Sequence, residues 1–248
     1  MNYKDCYFMH IPKTGGRYFR HNILSPLDLP SEFDKDFQEK FFTGKEDESD
    51  LVENKSPHNG NSHVGWSEYI KENTYIISTW RDPAKRCLSE YAFNHKNPSL
   101  DDFFKNLEFL NNSERVHPEF AINSQSKAHY QTYQDTFSIR STIIDLSPKD
   151  PELFNDFFYK QIERVNFRIR IQDVSANRIK IMKYLKSQFP IEQSFELGEE
   201  VPYIEWVNPN SEKLWNQLTE SDKDYIYKSN YLDLEVWNND KYFWSPND

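Results

Sequence analysis

The chain has 248 residues, 37% of them hydrophobic and 16% aromatic, and a formal net charge of −10. That length suits one hydrophobic core, so a single domain over residues 1–248 is expected, and the acidic balance argues against a nucleic-acid partner. No run of about 18 apolar residues offers a membrane span, no basic-then-apolar leader opens the chain, and two cysteines do not make a secreted disulfide framework; a cytoplasmic protein without membrane association is expected.

In chain order, Cys6 to Ile11 reads as a short strand that runs through Pro12 into Lys13-Thr14-Gly15-Gly16. Adjacent glycines admit backbone conformations that a side chain blocks, and they let amide groups approach an anion closely. A helix beginning near Arg17 would aim its first N–H groups and positive dipole end at the same point. Lys13 adds a mobile charge, which completes the chemistry needed to hold a phosphate. The segment is not a Walker A loop, which needs Gly-x-x-x-x-Gly-Lys-Ser/Thr; here the lysine precedes the glycines.

Residues 32–53 hold nine Asp or Glu against three Lys, and Ser56 to Ser62 is rich in turn residues. Together they read as a loop or flap at about 30–62, either a solvated acidic surface or a substrate lid. Thr74 to Trp80 is β-branched and aromatic, as in a buried strand. Arg81 ends it, Asp82 makes a good N-cap and Pro83 a good first helical residue. The helix then runs to about Phe93, with Arg86 and Ser89 on one face.

A helix is expected from Ser99, the N-cap, to about Leu110, with Asp102 three residues after the cap. Pro118 to about Tyr133 has helical character, Phe137 to Ile144 alternates partly like a strand, and Asp150-Pro151 opens a helix with Phe154, Phe157 and Phe158 as its stripe. Phe167, Ile169 and Ile171 alternate with Arg168, Arg170 and Gln172, as in a half-buried strand or one beside an anion site. Ile179, Met182 and Leu185 are spaced for an amphipathic helix. Asn208-Pro209 starts another helix, and Ser221 to about Trp237 a last one. Strands alternating with helices give an α/β fold with a mainly parallel sheet.

Two motifs, His10-Ile11-Pro12-Lys13-Thr14-Gly15-Gly16 and Arg81-Asp82-Pro83 with Arg86, Ser89 and Tyr91, together resemble those of sulfotransferases that use 3′-phosphoadenosine 5′-phosphosulfate (PAPS). More narrowly they resemble the branch of the heparan sulfate 2-O- and 6-O-sulfotransferases and their bacterial relatives. His63-Val64-Gly65-Trp66-Ser67-Glu68 is similar to the family segment that carries the catalytic base. Asn123-Ser124-Gln125, Val165 to Asp173 and Asp233-Leu234-Glu235 are more weakly similar to later family elements.

The resemblance implies a P-loop-like sulfotransferase fold, with a mainly parallel central sheet flanked by helices. It implies sulfuryl transfer from PAPS, without a metal, to a hydroxyl-bearing saccharide or small molecule. Lys13, Thr14, Gly15, Gly16, Arg17 and Tyr18 would hold the 5′-phosphosulfate, and Arg81 and Ser89 the 3′-phosphate. Lys13 and His63 would be catalytic, the one stabilising developing charge and the other acting as general base. His58 and Asn61 are weaker candidates nearby, and His10 is a residue that shapes the loop. Arg17 and Tyr18 stand where the family usually has small hydroxyl residues, so a hydroxyl donor is lost and the Arg17 guanidinium either replaces it or points to solvent. The acidic residues 32–53 favour a neutral or cationic acceptor over a long polyanion. A P-loop-type nucleotide kinase and a non-catalytic nucleotide-binding protein of the same fold remain as alternatives.

Overall fold

Three strands, β1 (Asp5–Met9), β2 (Thr74–Trp80) and β3 (Phe167–Arg170), form a parallel sheet in the order β1-β2-β3. The structure is a computed structural model, and it describes residues 3, 5–11, 13–27, 73–112, 124–127, 159–160, 162–189, 202 and 207–246. Every residue of β2 is buried, and so are Cys6 to Met9 of β1. Near-continuous apolar runs of this kind are what a parallel sheet covered on both faces requires. The expected strands at the first two positions and the parallel α/β arrangement are therefore present.

The helix α1 follows the glycine loop. It starts as Gly16–Phe19, continues through a π-helical turn at Arg20–Leu24, and ends at Ser25–Leu27. After β2 come α2 (Pro83–Asn94), α3 (Leu100–Asn112) and a short turn of helix, α4 (Ser124–Lys127). After β3 come α5 (Ile171–Ser187), α6 (Pro209–Trp215), α7 (Glu220–Ser229) and α8 (Tyr231–Trp237).

On one face of the sheet, Phe8, Tyr75, Ile77 and Phe167 pack under α1 and α5, with Phe8 and Phe19 stacked at 5.5 Å between ring centroids. Elsewhere Leu88 and Tyr91 of α2 pack with α3, α6 and α7 around Phe103, Leu107, Leu214 and Ile226. Trp80 packs with Leu232 and Val236 of α8. Both cysteines are free and buried, Cys6 in β1 and Cys87 in α2.

Capping follows the sequence closely. Asp82 accepts a hydrogen bond from the Lys85 amide at 2.9 Å, with Pro83 as the first helical residue. Asn208 and Pro209 open α6 in the same manner. At the start of α3, Ser99 Oγ donates to Asp102 Oδ2 at 2.9 Å and accepts from the Asp102 amide at 3.2 Å.

Three expectations are corrected. Ile171 does not continue β3; it is the first residue of α5. Its burial satisfies the strand's alternation and also the helix stripe that runs on to Val174, so period alone could not separate the two. Ile179 is 50% exposed, and the buried face of α5 is Ile171, Val174, Ile181, Met182 and Leu185. The in-phase position between Val174 and Ile181 is Arg178, whose Nε donates to the Asn22 carbonyl in the π-helical turn at 3.1 Å. Finally, the single helix expected from Ser221 to Trp237 is two helices broken at Asn230, whose side-chain amide donates to the Ile226 carbonyl at 2.9 Å. An asparagine that bonds back to its own turn competes with helix continuation.

The expected strand at 137–144, the helix from Asp150, the acidic segment 32–53 and most of the helix expected over 118–133 lie outside the described residues. Among the described residues no helix is long and apolar enough to cross a membrane.

The N-terminus of α7 carries a capping box: Thr219 accepts from the Asp222 amide while Asp222 accepts from the Thr219 amide. Loss of such a cap costs about 1 kcal/mol. Thr219→Ala is expected to lower the free energy of unfolding by that amount in urea titration, with an unchanged denaturant slope.

Candidate functional site

Register brings the two motifs to one edge of the sheet. Met9 pairs with Ser78, and Trp80 pairs with Arg170, so the loop after β1 and the chain after β2 leave the sheet side by side at its C-terminal edge. In open α/β sheets that edge is where ligands bind.

The loop is held by its own hydroxyl. Thr14 Oγ1 donates to the Ile11 carbonyl at 2.9 Å, and it lies 3.0 Å from Thr79 Oγ1 near the end of β2. A hydroxyl has one proton; with that of Thr14 on Ile11, Thr79 is the donor between the two. The fully buried Thr14 side chain therefore ties the loop to the sheet, and its backbone amide is what it can offer an anion. Lys13 and Gly15 take left-handed conformations, with φ of 63° and 80°. This double reversal turns the backbone sharply before α1 begins at Gly16.

Gly16 is required by its neighbour. A Cβ there would stand 2.1 Å from His10 Cδ2. His10 is buried and stacks on Phe8 with ring centroids 5.6 Å apart. It shapes the loop, as the sequence suggests. Arg17 is exposed. Tyr18 is fully buried in the core under the sheet, so its phenol is not placed as a substitute for the missing hydroxyl donor.

On the other side stands Arg81, only 8% exposed. Its backbone is hydrogen-bonded, but its guanidinium has no hydrogen-bond or ion-pair partner among the described residues. Asp82 next to it accepts from the Lys85 amide and from Tyr227 Oη at 2.7 Å. Ser89 and Arg86 are buried on α2. Arg86 Nη1 lies 3.9 Å from Glu90 Oε2, and its charge also acts on Asp233, so Arg86 serves the interior rather than the mouth of the site. Tyr91 packs inward too, edge-on to Phe103.

Cations converge here. Burial lowers the proton affinity of Lys13; nearby Glu90 opposes this, and Arg17 and Arg81 reinforce it. The Lys13 ammonium sits 3.1 Å above the centre of the Phe93 ring, at the last turn of α2, and that ring is 64% exposed. Arg20, one turn beyond Gly16, is pushed down to about 10 by burial and then by Arg17. Its Nη1 is buried without a hydrogen-bond partner. The structure thus gathers Lys13, Arg17 and Arg81 within electrostatic range, and places Ser89 on the helix that leads to Phe93. His63, with His58 and Asn61, lies outside the described residues. Among the described residues no cluster of three or more His, Cys, Asp or Glu could hold a metal ion.

Over 89 residues the chain is 29% identical to a protein-tyrosine sulfotransferase of Arabidopsis thaliana. The matched stretch is 36% of this chain and 17% of that protein's length. No family model matches the chain, and no solved structure matches it.

Sequence reasoning passes over Thr79, Phe93, Tyr227 and the support behind Arg81. That support comes from Gln125 and Asp233, which enter only as weak similarities. A usable signal was present for Asp233: it stands on the apolar stripe of α8 between Leu232 and Val236, where a carboxylate needs a structural reason.

Gly16→Ala is expected to cost about 1–3 kcal/mol of stability, the usual range for overpacking. Most of the loss should vanish in the His10→Ala background. Thermal unfolding of both single variants and the double variant measures this coupling.

Proposed function

We propose that the chain is a PAPS-dependent O-sulfotransferase of P-loop-like fold that sulfates a hydroxyl-bearing saccharide or small molecule. The observation that carries this reading is the nearly buried Arg81 guanidinium, without a hydrogen-bond or ion-pair partner among the described residues, close to Lys13. A cation held largely out of water calls for a counter-anion. A doubly phosphorylated nucleotide supplies one anion for the glycine loop and a second for Arg81. The similarity to a protein-tyrosine sulfotransferase supports the same reaction class, and it adds a tyrosyl phenol to the acceptors worth screening.

In this reading the amides from Thr14 to Arg17 hold the 5′ group, Lys13 and Arg17 add charge, and Arg81 with Ser89 holds the 3′-phosphate. Thr14 acts through its amide, because its hydroxyl is committed to Ile11 and Thr79. PAPS supplies an activated sulfuryl group, which passes to the acceptor oxygen. The Lys13 ammonium stabilises the negative charge that develops on the departing phosphate. Its contact with Phe93 is of a kind worth about 0.5–1 kcal/mol at an exposed site, small enough to yield to a phosphate. His63 takes the acceptor hydroxyl proton as general base.

Calorimetry with 3′-phosphoadenosine 5′-phosphate, adenosine 5′-phosphate and ATP tests the reading. The first should bind about tenfold tighter than the second, since a charge-assisted hydrogen bond contributes about 1.5–3 kcal/mol. Equal affinities remove the 3′-phosphate assignment, and ATP binding without it moves the chain to a kinase. Transfer of labelled sulfate from PAPS over a panel of saccharides, phenols and small alcohols then reads the acceptor.

Two substitutions separate binding from chemistry. Lys13→Ala should lower the maximal rate far more than the affinity for 3′-phosphoadenosine 5′-phosphate, because its charge acts mainly in the transition state. His63→Ala should keep nucleotide binding and lose about 10²–10⁴-fold in transfer rate. Steady-state rates beside calorimetric affinities distinguish these outcomes.

A further inference from the structure

Past Trp80, β2 runs out of strand neighbours: its pairing with β1 ends at Ser78 and its pairing with β3 ends at Trp80 itself. The next residue is Arg81, and one side chain takes both of its backbone polar groups. Gln125 Oε1 accepts from the Arg81 N–H at 2.8 Å, and Gln125 Nε2 donates to the Arg81 carbonyl at 2.9 Å. A primary amide here stands in for the missing strand. It fixes a residue that belongs to neither β2 nor α2.

Gln125 is itself held. Its backbone N–H and that of Ser126 donate to the two carboxylate oxygens of Asp233, at 3.2 and 2.7 Å. Gln125 Nε2 comes within 3.5 Å of the same carboxylate. Gln125 and Asp233 are both fully buried. The chain of contacts runs from α8, through the short turn α4, to Arg81, whose guanidinium has no hydrogen-bond or ion-pair partner among the described residues. On the far side, Tyr227 of α7 fixes Asp82. Arg81 is therefore gripped by its backbone alone, while its side chain stays available to a ligand.

We propose that Gln125, held by Asp233, is a positioning residue for the 3′-phosphate site: its amide fixes the Arg81 backbone and so sets where the guanidinium meets the phosphate. This rests on the reading of Arg81 given under the proposed function. Loss of the clamp leaves Arg81 in place in sequence but free to turn about its own backbone, and a displacement near 1 Å is enough to degrade a charged contact severely.

The experiment compares wild type, Gln125→Leu and Asp233→Asn by calorimetry with 3′-phosphoadenosine 5′-phosphate and with adenosine 5′-phosphate. Gln125→Leu removes both amide contacts at similar size, and Asp233→Asn turns one acceptor into a donor that faces backbone N–H groups. Both variants should lose about tenfold or more in affinity for the 3′-phosphorylated nucleotide and bind adenosine 5′-phosphate as wild type does. Hydrogen exchange at the Arg81 amide should speed up in Gln125→Leu. If that variant does not fold, Gln125→Asn decides: it keeps the amide but draws it back by one methylene from the Arg81 backbone, and it should lose the same ratio. A folded variant with the wild-type ratio, or one that loses both nucleotides equally, overturns the positioning role. A wild-type protein that does not distinguish the two nucleotides overturns the reading of Arg81 along with it.

Discussion

The hydrogen bond between Thr14 and Thr79 joins a loop and a strand end that are 65 residues apart in sequence. Thr14 sits in the loop after β1, and Thr79 is one residue short of the end of β2. Parallel pairing of the two strands sets their C-terminal ends level, and this contact then fixes the loop against the strand. With Thr14 engaged inward, Lys13 and Gly15 adopt their left-handed turns and α1 starts against His10. Convergence of Lys13 with Arg81 follows from that geometry. A flat, one-sided sheet could not achieve it, since the loop would have no buried strand end on which to seat a hydroxyl.

Much of this was legible in the sequence because the signals were local. Asp82-Pro83, Ser99 with Asp102, and Asn208-Pro209 name helix starts through cap chemistry that needs no tertiary partner. Apolar runs at Cys6 to Met9 and Thr74 to Trp80 name buried strands. The failures came where tertiary contacts decide. Arg178 interrupts the stripe of α5 because it is needed by the π-helical turn of α1; the break at Asn230 is a local exception, a bond to its own preceding turn. For the segment of Arg168 the sequence left open a half-buried strand or one beside an anion site; it is a strand, and the buried Arg168 guanidinium donates to the carbonyls of Ile162 and Tyr242. At the site, Lys13, Gly16 and Arg81 stood out through residue type. Gln125 did not, because a glutamine that completes a strand end is indistinguishable in sequence from one on a surface.

Charge is distributed with two purposes. The chain is strongly acidic as a whole, yet Lys13, Arg17, Arg20 and Arg81 gather at one edge of the sheet. Behind them lie buried acids. Asp233 is shifted upward by burial, and Arg86 together with the amides of Ser126 and Gln125 draws it back toward ionisation. Arg86 and Glu90 form the second inward pair. Of the internal cations, Arg86 is met by acids and Arg168 by backbone carbonyls. The compensated charges tie α2 to α8 in the interior.

Lys13 carries a conflict between two kinds of selection. Its φ of 63° belongs to a region that costs an ordinary L-residue about 1–2 kcal/mol and costs glycine almost nothing. Asparagine also visits it readily. A library at this position ranked only by heat resistance would therefore drift toward Gly or Asn, whereas under the function proposed above one ranked by turnover would hold Lys. The position is a natural marker for whether a lineage of this fold has been kept for its chemistry or merely for its stability.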